Sequence, residues 1–222
     1  MKKNKTVAIT KSVLSIDNAD KTKALRRVII KRDSDPQNPR EWDNLFKLHS
    51  DCRYLASDNG AENPVVDYGK SPEEAKFKDG LFAIPLYAYV HSGIVLSLTP
   101  FNDRWDSGCA GFMYVDKKHY CEEMGLKRFS AKGAMKRAEA EVADLNMYVT
   151  GDVYGFVVET RKEVYEDWEE EDSCWGFYGE DGITDMLYEA GAYEEGTVVC
   201  AEDNIYIPRD EVTMRVRVDR AA

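Results

Sequence analysis

The chain has 222 residues, 43% of them hydrophobic, which is enough to bury a sizeable core in one large domain or two small ones. No apolar run approaches the roughly 18 residues needed to cross a bilayer, and the opening MKKNKTVAITK is too interrupted by Thr and Lys for a secretory signal. Five scattered cysteines without a CxxC pair argue against a disulfide framework and a zinc knuckle. We therefore predict a cytoplasmic protein with reduced thiols, no membrane contact, and no metal or other cofactor.

Charge is unevenly distributed along the chain, whose net charge is −11. Residues 1–32 hold ten Lys and Arg against two Asp, whereas residues 159–203 hold sixteen Asp and Glu against only Arg161 and Lys162. A field that negative repels nucleic acid and attracts basic surfaces, including the grooves with which other proteins hold DNA or RNA. The distribution predicts a basic N-terminal segment over residues 1–35, either a strand pair or an arm, and an acidic domain over residues 36–222. A purely solubilising acidic surface is the alternative.

The first part of the chain is predicted to alternate short strands with polar loops. Alternating polar and β-branched residues predict strands at 5–16 and 27–31, which could form a hairpin. Two prolines in DSDPQNPREWDN predict a linker that leads into a short helix at about 42–49. SPEEAKF, in which Ser precedes Pro and acids follow, predicts one or two further helical turns.

The centre of the chain is predicted to be rich in strands. Apolar, β-branched and aromatic residues predict strands at 81–90, 93–98 and 111–115, arranged as an antiparallel meander. Asp116 is expected to cap a short helix that Gly125 ends.

The clearest helical pattern covers residues from about 130 to 148. Met135, Ala138, Val142 and Leu145 recur at three- and four-residue spacing, and charged residues that include Glu141 take the other face. Further strands are predicted at 153–160, 174–178, 197–201 and 213–218. The fold class is therefore α+β, a mostly antiparallel sheet with one long amphipathic helix at about 130–148 and shorter helices packed on it.

No recognised catalytic signature is present, since P-loop, GxGxxG, HExxH and GxSxG motifs are all absent. Cys109 and Cys174 have no adjacent base in the sequence. Two turns of the predicted meander, HSG and WDSG, carry His91, Ser92, Asp106 and Ser107. If both turns lie on one edge, these side chains could form the acid, base and nucleophile of a small hydrolase or transferase. A structural role is the alternative, because Asp and Ser side chains bond to nearby backbone donors in ordinary turns.

The stretch DSCWGFYG, residues 172–179, combines aromatic side chains and glycines beside a run of acids. One interpretation is a core strand that ends in a turn at Gly179. The other is an aromatic docking surface rimmed by acids, because the centres of protein interfaces favour Trp and Tyr. The candidate partner-binding residues are Asp167, Glu169, Glu170, Glu171, Asp172, Trp175 and Tyr178.

The basic N-terminal segment supports a third hypothesis, in which the chain contacts nucleic acid directly. Its phosphate-binding residues would be Lys2, Lys3, Lys5, Lys11, Arg26 and Arg27. The negative field of the remaining chain opposes this, so we expect no direct nucleic-acid binding by the acidic domain.

Five blocks of the sequence resemble those of an uncharacterised protein family of phages and conjugative elements. They are PREWDN (39–44), PLYAYVHSGI (85–94), WDSGCAGFMYV (105–115), YVTGDVYGF (148–156) and DSCWGFYG (172–179). The chain departs from the family pattern at Cys109, where Gln is expected, and in its basic N-terminal segment. The resemblance implies an accessory protein of a mobile element that acts in the cytoplasm of the host cell, and it transfers no activity.

Charge and resemblance together predict a binding protein rather than an enzyme. The resemblance implies an inhibitor of host defence, of the anti-restriction or anti-CRISPR type, because acidic accessory proteins of mobile elements often resemble such inhibitors. The expected partner is a host protein with a basic surface, such as a nuclease or another nucleic-acid enzyme, for which the acidic surface would act as a decoy.

Overall fold

The computed structural model describes residues 25–194, 196–202 and 205. Its strands, in chain order, are β1 (Arg26–Arg32), β2 (Lys47–Ser50), β3 (Val65–Asp67), β4 (Lys76–Phe77), β5 (Leu81–Val90), β6 (Ile94–Ser97), β7 (Ser107–Asp116), β8 (Val153–Thr160), β9 (Glu169–Tyr178) and β10 (Thr197–Ala201). Its α-helices are α1 (Lys117–Glu123), α2 (Ala131–Thr150) and α3 (Gly179–Glu189), and 3₁₀ turns lie at Pro39–Glu41 and Pro72–Glu74. Because the strands pair mostly antiparallel, the predicted α+β class is confirmed.

The described residues form two compact units. Residues 37–150 make up the central unit, and residues 25–36 and 151–205 together make up the split unit. The chain crosses from one unit to the other after Pro36 and again after Thr150. The boundary predicted after residue 35 lies next to the first crossing, and the second crossing was not predicted. Compactness and charge therefore divide the chain differently, because β1 pairs with strands from far along the chain. The predicted strands at 5–16 and 213–218 lie outside the described residues.

The central unit is built on a four-stranded sheet in the order β2-β7-β5-β6. β5 and β6 form the expected hairpin, but β7 lies on the other side of β5, so the predicted meander order is wrong. The loop after β6 returns the chain to the end of β5, where Ser107 is opposite Tyr89. One face of this sheet and the helix α2 share a core that includes Leu86, Met113 and Leu145.

Residues 42–49, predicted as a helix, instead lead from a 3₁₀ turn into strand β2. The Asn44 side chain donates to the carbonyl of Pro39 at 2.7 Å and so closes the turn. Beyond it, Phe46 and Leu48 are buried and the residue between them is exposed. This period of two belongs to a strand. Burial in the sheet has therefore decided the structure of this segment.

The helices of the central unit begin close to the predicted positions. The Asp116 carboxylate caps α1 by accepting hydrogen bonds from the backbone N–H groups of Lys118 and His119, each at 2.9 Å. Gly125 follows that helix with a φ of 62°, the left-handed conformation that commonly ends helices. α2 buries one row of residues, which consists of Ala134, Ala138, Glu141, Val142 and Leu145.

The split unit is a sheet in the order β10-β1-β8-β9, against which α3 packs. β1 lies inside this sheet, antiparallel to β8 and parallel to β10. α3 begins at Gly179, where the sequence predicted a turn. Gly182 allows the helix to approach β9 closely, because a Cβ there would lie 2.8 Å from the Phe177 carbonyl carbon. The core of the unit comprises residues such as Val28, Ile30, Phe156, Val158, Ile183, Met186 and Leu187.

Candidate functional site

β9 is the exposed edge strand of the split unit. Of the described strands only β8 pairs with it, and the register places Asp172 opposite Val158 and Glu170 opposite Glu159. Two register shifts interrupt this pairing. Bulges and charged side chains are common means by which edge strands avoid pairing with strands of other molecules. DSCWGFYG is therefore part of a strand, as predicted, but that strand lies at an exposed edge rather than in the core.

The acids of β9 project to both faces of the sheet. Residues paired across neighbouring strands point to the same face, so Glu170 shares the face of Glu159 and Asp172 shares the opposite face with Val158. The four acids at 169–172 are all exposed, as is Asp167 just before the strand. A partner approaching along the sheet edge would therefore meet all of these carboxylates.

Within the described part of the chain, these carboxylates have no cation in contact. Among the described residues, no Lys or Arg forms an ion pair with Glu169, Glu170, Glu171 or Asp172. Two of them accept hydrogen bonds from the uncharged residue Ser173, which donates to Glu170 from its hydroxyl at 3.1 Å and to Asp172 from its backbone N–H at 2.8 Å. The described residues therefore leave the negative charge of this edge without a paired cation, in contrast to Glu159, which pairs with Arg27.

The two aromatic candidates differ in accessibility. Trp175 covers Gly155 of β8, where any Cβ would overlap the Trp175 ring. The residue is nevertheless 44% exposed, so a partner could contact it while the sheet holds it in place. Tyr178 is half-buried at the end of β9, next to the Gly179 N–H that donates to the Asp152 carbonyl at 2.9 Å. Trp175 is therefore the better anchor for a partner.

Arg26 and Arg27, which the sequence offered as phosphate contacts, are engaged inside the split unit. Arg26 donates to the carbonyl of Ala190 at 2.9 Å. Arg27 forms an ion pair with Glu159, and its guanidinium lies 4.4 Å from the centre of the Trp168 ring. Both side chains thus hold β1 to its neighbours. The other residues of that hypothesis, Lys2, Lys3, Lys5 and Lys11, lie outside the described residues.

The HSG and WDSG turns lie at the same end of the central-unit sheet. Tyr89 near the end of β5 is opposite Ser107 at the start of β7. Just beyond, the N–H of Val90 donates to the carbonyl of Asp106 at 2.8 Å. The structure thus brings together the backbones of the turn that carries His91 and the turn that carries Asp106.

The side chains of these turns do not form a catalytic hydrogen-bond chain. Ser107 donates from its hydroxyl to the carbonyl of Asp103. The His91 ring stacks on Tyr89, with the ring centroids 6.2 Å apart. Among the described residues, no hydrogen bond or ion pair joins His91 to Ser92, Asp106 or Ser107. The observed contacts are those of ordinary turn residues.

Neither Cys109 nor Cys174 has the surroundings of a reactive thiol. Burial raises the pKa of the Cys109 thiol, and the charges of Asp51 and Glu73 act in the same direction. Burial and then Glu189, by a hydrogen bond and its charge, raise the pKa of the Cys174 thiol. A nucleophilic cysteine needs a lowered pKa. Both thiols therefore stay protonated near neutral pH.

Sequence reasoning missed a buried ionic network in the central unit. The Arg40 guanidinium donates to the Asp58 carboxylate at 2.6 and 3.0 Å and to the Glu141 carboxylate at 3.2 Å. The side chains of Arg40 and Glu141 are only 6% and 3% exposed. Burial alone would lower the pKa of Arg40, but the hydrogen bonds and charges of the two acids outweigh it and raise the pKa. The guanidinium is therefore permanently charged.

Glu141 also ties the segment before β2 to helix α2. Its carboxylate accepts hydrogen bonds from the backbone N–H groups of Leu45 at 3.0 Å and Phe46 at 3.4 Å, and from Arg137 at 3.2 Å. The prediction that Glu141 lies on the charged face of α2 is wrong, because Glu141 belongs to the buried row. Its spacing of three residues from Ala138 and four from Leu145 is the signal in the sequence that could have revealed this role. An acid at a core position requires a buried partner. Because Asp58 and Glu141 both accept hydrogen bonds within the unit, the role of the network is to stabilise the fold.

None of the described helices combines the length and apolarity needed to span a membrane. The described part of the chain also has no group of three or more His, Cys, Asp or Glu side chains placed to hold a metal ion. Comparisons with protein-family models, curated proteins and solved structures gave no match. The edge of β9, with its exposed and unpaired carboxylates, is the candidate site that these residues provide.

Proposed function

We propose that the chain is a protein-binding inhibitor, encoded by a phage or another mobile element, that acts in the cytoplasm of the host. Its acidic edge, defined as Asp167, Glu169, Glu170, Glu171, Asp172 and Trp175, with Tyr178 at the end, docks on a basic surface of a host enzyme. The enzyme is one that binds nucleic acid, such as a restriction or CRISPR nuclease. Charge and exposure support the docking surface, and the sequence resemblance supports the biological context.

The observation that carries this proposal is the run of four exposed carboxylates that pair with no cation among the residues the structure describes. Protein surfaces usually mix charges of both signs. Like charges held close together on a sheet repel one another and destabilise the fold. A basic partner removes that repulsion and draws the two surfaces together over a Debye length of about 10 Å at 0.1 M salt.

The spacing of the acids suits a surface that normally binds nucleic acid. Successive residues of a strand rise by about 3.4 Å, and each strand of duplex DNA carries one phosphate charge per roughly 3.4 Å of helix axis. The four acids of β9 therefore place about one charge per residue along the strand, a linear charge density similar to that of one nucleic-acid strand, with the carboxylates divided between the two faces of the sheet. The exposed Trp175 adds an aromatic anchor of the kind that dominates binding energy in protein interfaces.

A pull-down from host-cell lysate tests the proposal with three immobilised proteins, at about 0.1 M and about 1 M salt. The first is the wild type, and the second carries Glu169→Lys, Glu170→Lys and Glu171→Lys. The third is a charge-matched control with Asp43→Lys, Asp79→Lys and Glu139→Lys, all exposed acids of the central unit.

We expect the wild type and the control to retain the same nucleic-acid enzyme in low salt and to release it in high salt. The acidic-edge variant should retain none of it while unfolding at a denaturant concentration no lower than that of the wild type. Equal retention by the wild type and the acidic-edge variant would contradict the proposal.

An enzymatic function is the second candidate, because the HSG and WDSG turns adjoin at one end of the sheet. Rotation of the His91 and Ser107 side chains from their present contacts would be needed to assemble a nucleophile and base. Ser92, with a φ of 55°, holds the strained backbone that is enriched at functional sites. The reaction would be that of a small hydrolase or transferase.

Hydrolysis of p-nitrophenyl acetate by wild type, His91→Ala and His119→Ala proteins tests this second candidate. His119 is the matched control, since it is an exposed histidine on α1. An enzyme of this type should lose its activity in His91→Ala alone. Equal rates in the three proteins would eliminate the His91 mechanism.

A further inference from the structure

The corner where α1 meets α2 collects exposed cations in a chain that is acidic overall. α1 and the residues that follow it pass directly into the first turns of α2. All the cations concerned are exposed. This basic corner consists of Lys117, Lys118, Lys127, Arg128, Lys132 and Lys136.

Aromatic packing fixes the backbone that carries these cations. The rings of Tyr120 and Phe129 meet edge to face with centroids 5.5 Å apart, which joins α1 to the segment before α2. Phe129 also packs on Phe82 of β5, with centroids 5.2 Å apart. The Lys117 ammonium lies 6.0 Å from the Phe129 ring, within the range of a cation–π contact. These contacts hold the backbone of the basic corner in place on the central unit.

The acids of α1 and its cap leave all but one of the corner's cations without an ion pair among the described residues. Asp116 caps α1. Glu122 lies 3.7 Å from the ammonium of Lys118, and Glu123 lies 4.0 Å from the His119 ring nitrogen. Five cations of the corner form no ion pair with any described residue. They are Lys117, whose ammonium contacts the Phe129 ring, and Lys127, Arg128, Lys132 and Lys136.

Contrary to the expectation from the net charge of residues 36–222, we propose that the basic corner binds the phosphate backbone of nucleic acid without regard to sequence. Lys132 and Lys136 are four residues apart on α2, so they share one side of the helix with a rise of about 6 Å between them. Lys127 and Arg128 continue the positive charge beyond the start of α2. An extended row of fixed cations suits a polyanion with regularly spaced charges, and phosphate contacts of this kind supply affinity but no sequence information.

An anionic membrane surface fits the corner less well. Surface insertion requires an apolar cluster among the cations, and here only Met124 and Leu126, at 47% and 41% exposure, are available. The row of cations also continues along α2, away from these two side chains. Nucleic acid is thus the partner that the arrangement favours.

This surface lies in the central unit, whereas the acidic edge belongs to the split unit. The inference therefore does not depend on the proposed inhibitor function. A protein with both surfaces would contact a nucleic-acid enzyme through one unit and the nucleic acid through the other.

Fluorescence anisotropy with a labelled duplex of about 20 base pairs, two turns of DNA, tests the inference on the full chain. The basic-corner variant carries Lys127→Glu, Arg128→Glu and Lys132→Glu. A charge-matched control carries Lys47→Glu, Arg53→Glu and Lys70→Glu, which are exposed cations elsewhere in the central unit. A single strand of the same length and vesicles of phosphatidylserine are measured in parallel.

We expect the wild type and the control to bind the duplex with a Kd of roughly 10⁻⁶ to 10⁻⁴ M at about 50 mM salt. The basic-corner variant should bind at least about tenfold more weakly, and its slope of log K against log salt should fall by about 3. Binding to the vesicles but to neither nucleic acid would overturn the inference. Equal binding by the basic-corner variant and the wild type would also overturn it, because another region would then carry the contact.

Discussion

Acidic side chains play opposite parts in the two units. In the central unit, Asp58 and Glu141 are largely buried and both are bound by Arg40. In the split unit, the four acids at 169–172 are exposed and pair with no described cation. The same residue types thus hold one unit together and leave the other with a negative edge.

This difference shows why net charge is a poor guide to a binding surface. Charged side chains that are paired inside the fold still count toward the net charge, but their partners within the fold offset their attraction to another molecule. The cations show the same contrast, since Arg26, Arg27 and Arg40 are bound within their units, while Lys127, Arg128, Lys132 and Lys136 of the basic corner form no ion pair with a described residue. The charge available to a partner is the charge that the fold leaves unpaired.

The largest effect should follow from breaking the buried network with Arg40→Met. Asp58 and Glu141 would be left as buried charges without their cation, so the free energy of unfolding should fall by about 3–5 kcal/mol. Urea denaturation measures this loss. The control is Lys76→Met, which removes an exposed pair with Asp67 at 3.0 Å and should cost less than about 1 kcal/mol. Equal losses in the two variants would mean that burial does not distinguish these acids.

A smaller effect should follow from moving the acidic edge itself with Gly155→Ala. The new methyl group would overlap the Trp175 ring and crowd the Cys174 carbonyl, so β9 must shift away from β8. Overpacking of this kind costs about 1–3 kcal/mol, and tryptophan fluorescence should change with it. Gly108→Ala is the matched control, because nothing lies within 4 Å of a Cβ at that position. An unchanged unfolding curve for Gly155→Ala would show that Trp175 is not held against β8.

The smallest effect concerns Tyr154 of the split unit, whose hydroxyl donates a hydrogen bond to the Asp152 carboxylate. Burial, followed by the hydrogen bond to Asp152 and its charge, raises the pKa of Tyr154 to about 12. The neutral phenol is therefore favoured in the folded state, so its contribution is complete below the unfolded pKa of about 10 and is lost as pH rises from 10 towards 12.

Urea midpoints measured across this pH range for wild type and Tyr154→Phe test the contribution. The wild type should lose its advantage over the variant as pH rises. Tyr165→Phe provides the control, because solvent surrounds this exposed side chain before and after unfolding. A constant difference between wild type and Tyr154→Phe would contradict the account.

Local sequence patterns predicted the elements that depend on interactions between residues close together in the chain. The Asp116 cap, the Gly125 terminus and the strands within 81–90 and 153–160 follow from capping chemistry and from runs of β-branched and aromatic residues. Strand order did not follow, because the position of β7 beside β5 depends on pairing between distant residues. α3 was missed because Gly179 and Gly182 weaken its helical pattern, although Gly182 is needed for close contact with β9.

The candidate site was predictable in composition but not in geometry. The run of acids and Trp175 are visible in the sequence, whereas the position of β9 at the sheet edge depends on its pairing with β8 alone among the described strands. Arg40 could not be matched with Glu141 by spacing, because their contact spans 101 positions of the chain. The adjacency of the two turns was a hypothesis that only strand pairing could resolve.

The measurement that tests the central claim most directly is competition between the acidic edge and nucleic acid. The enzyme retained in the pull-down is purified and loaded with fluorescent DNA or RNA, and the chain is then added. We predict that the wild type displaces the nucleic acid and that the Glu169→Lys, Glu170→Lys, Glu171→Lys variant does not. Displacement by both proteins, or by neither, would contradict the claim that the unpaired acids of β9 occupy a nucleic-acid-binding surface.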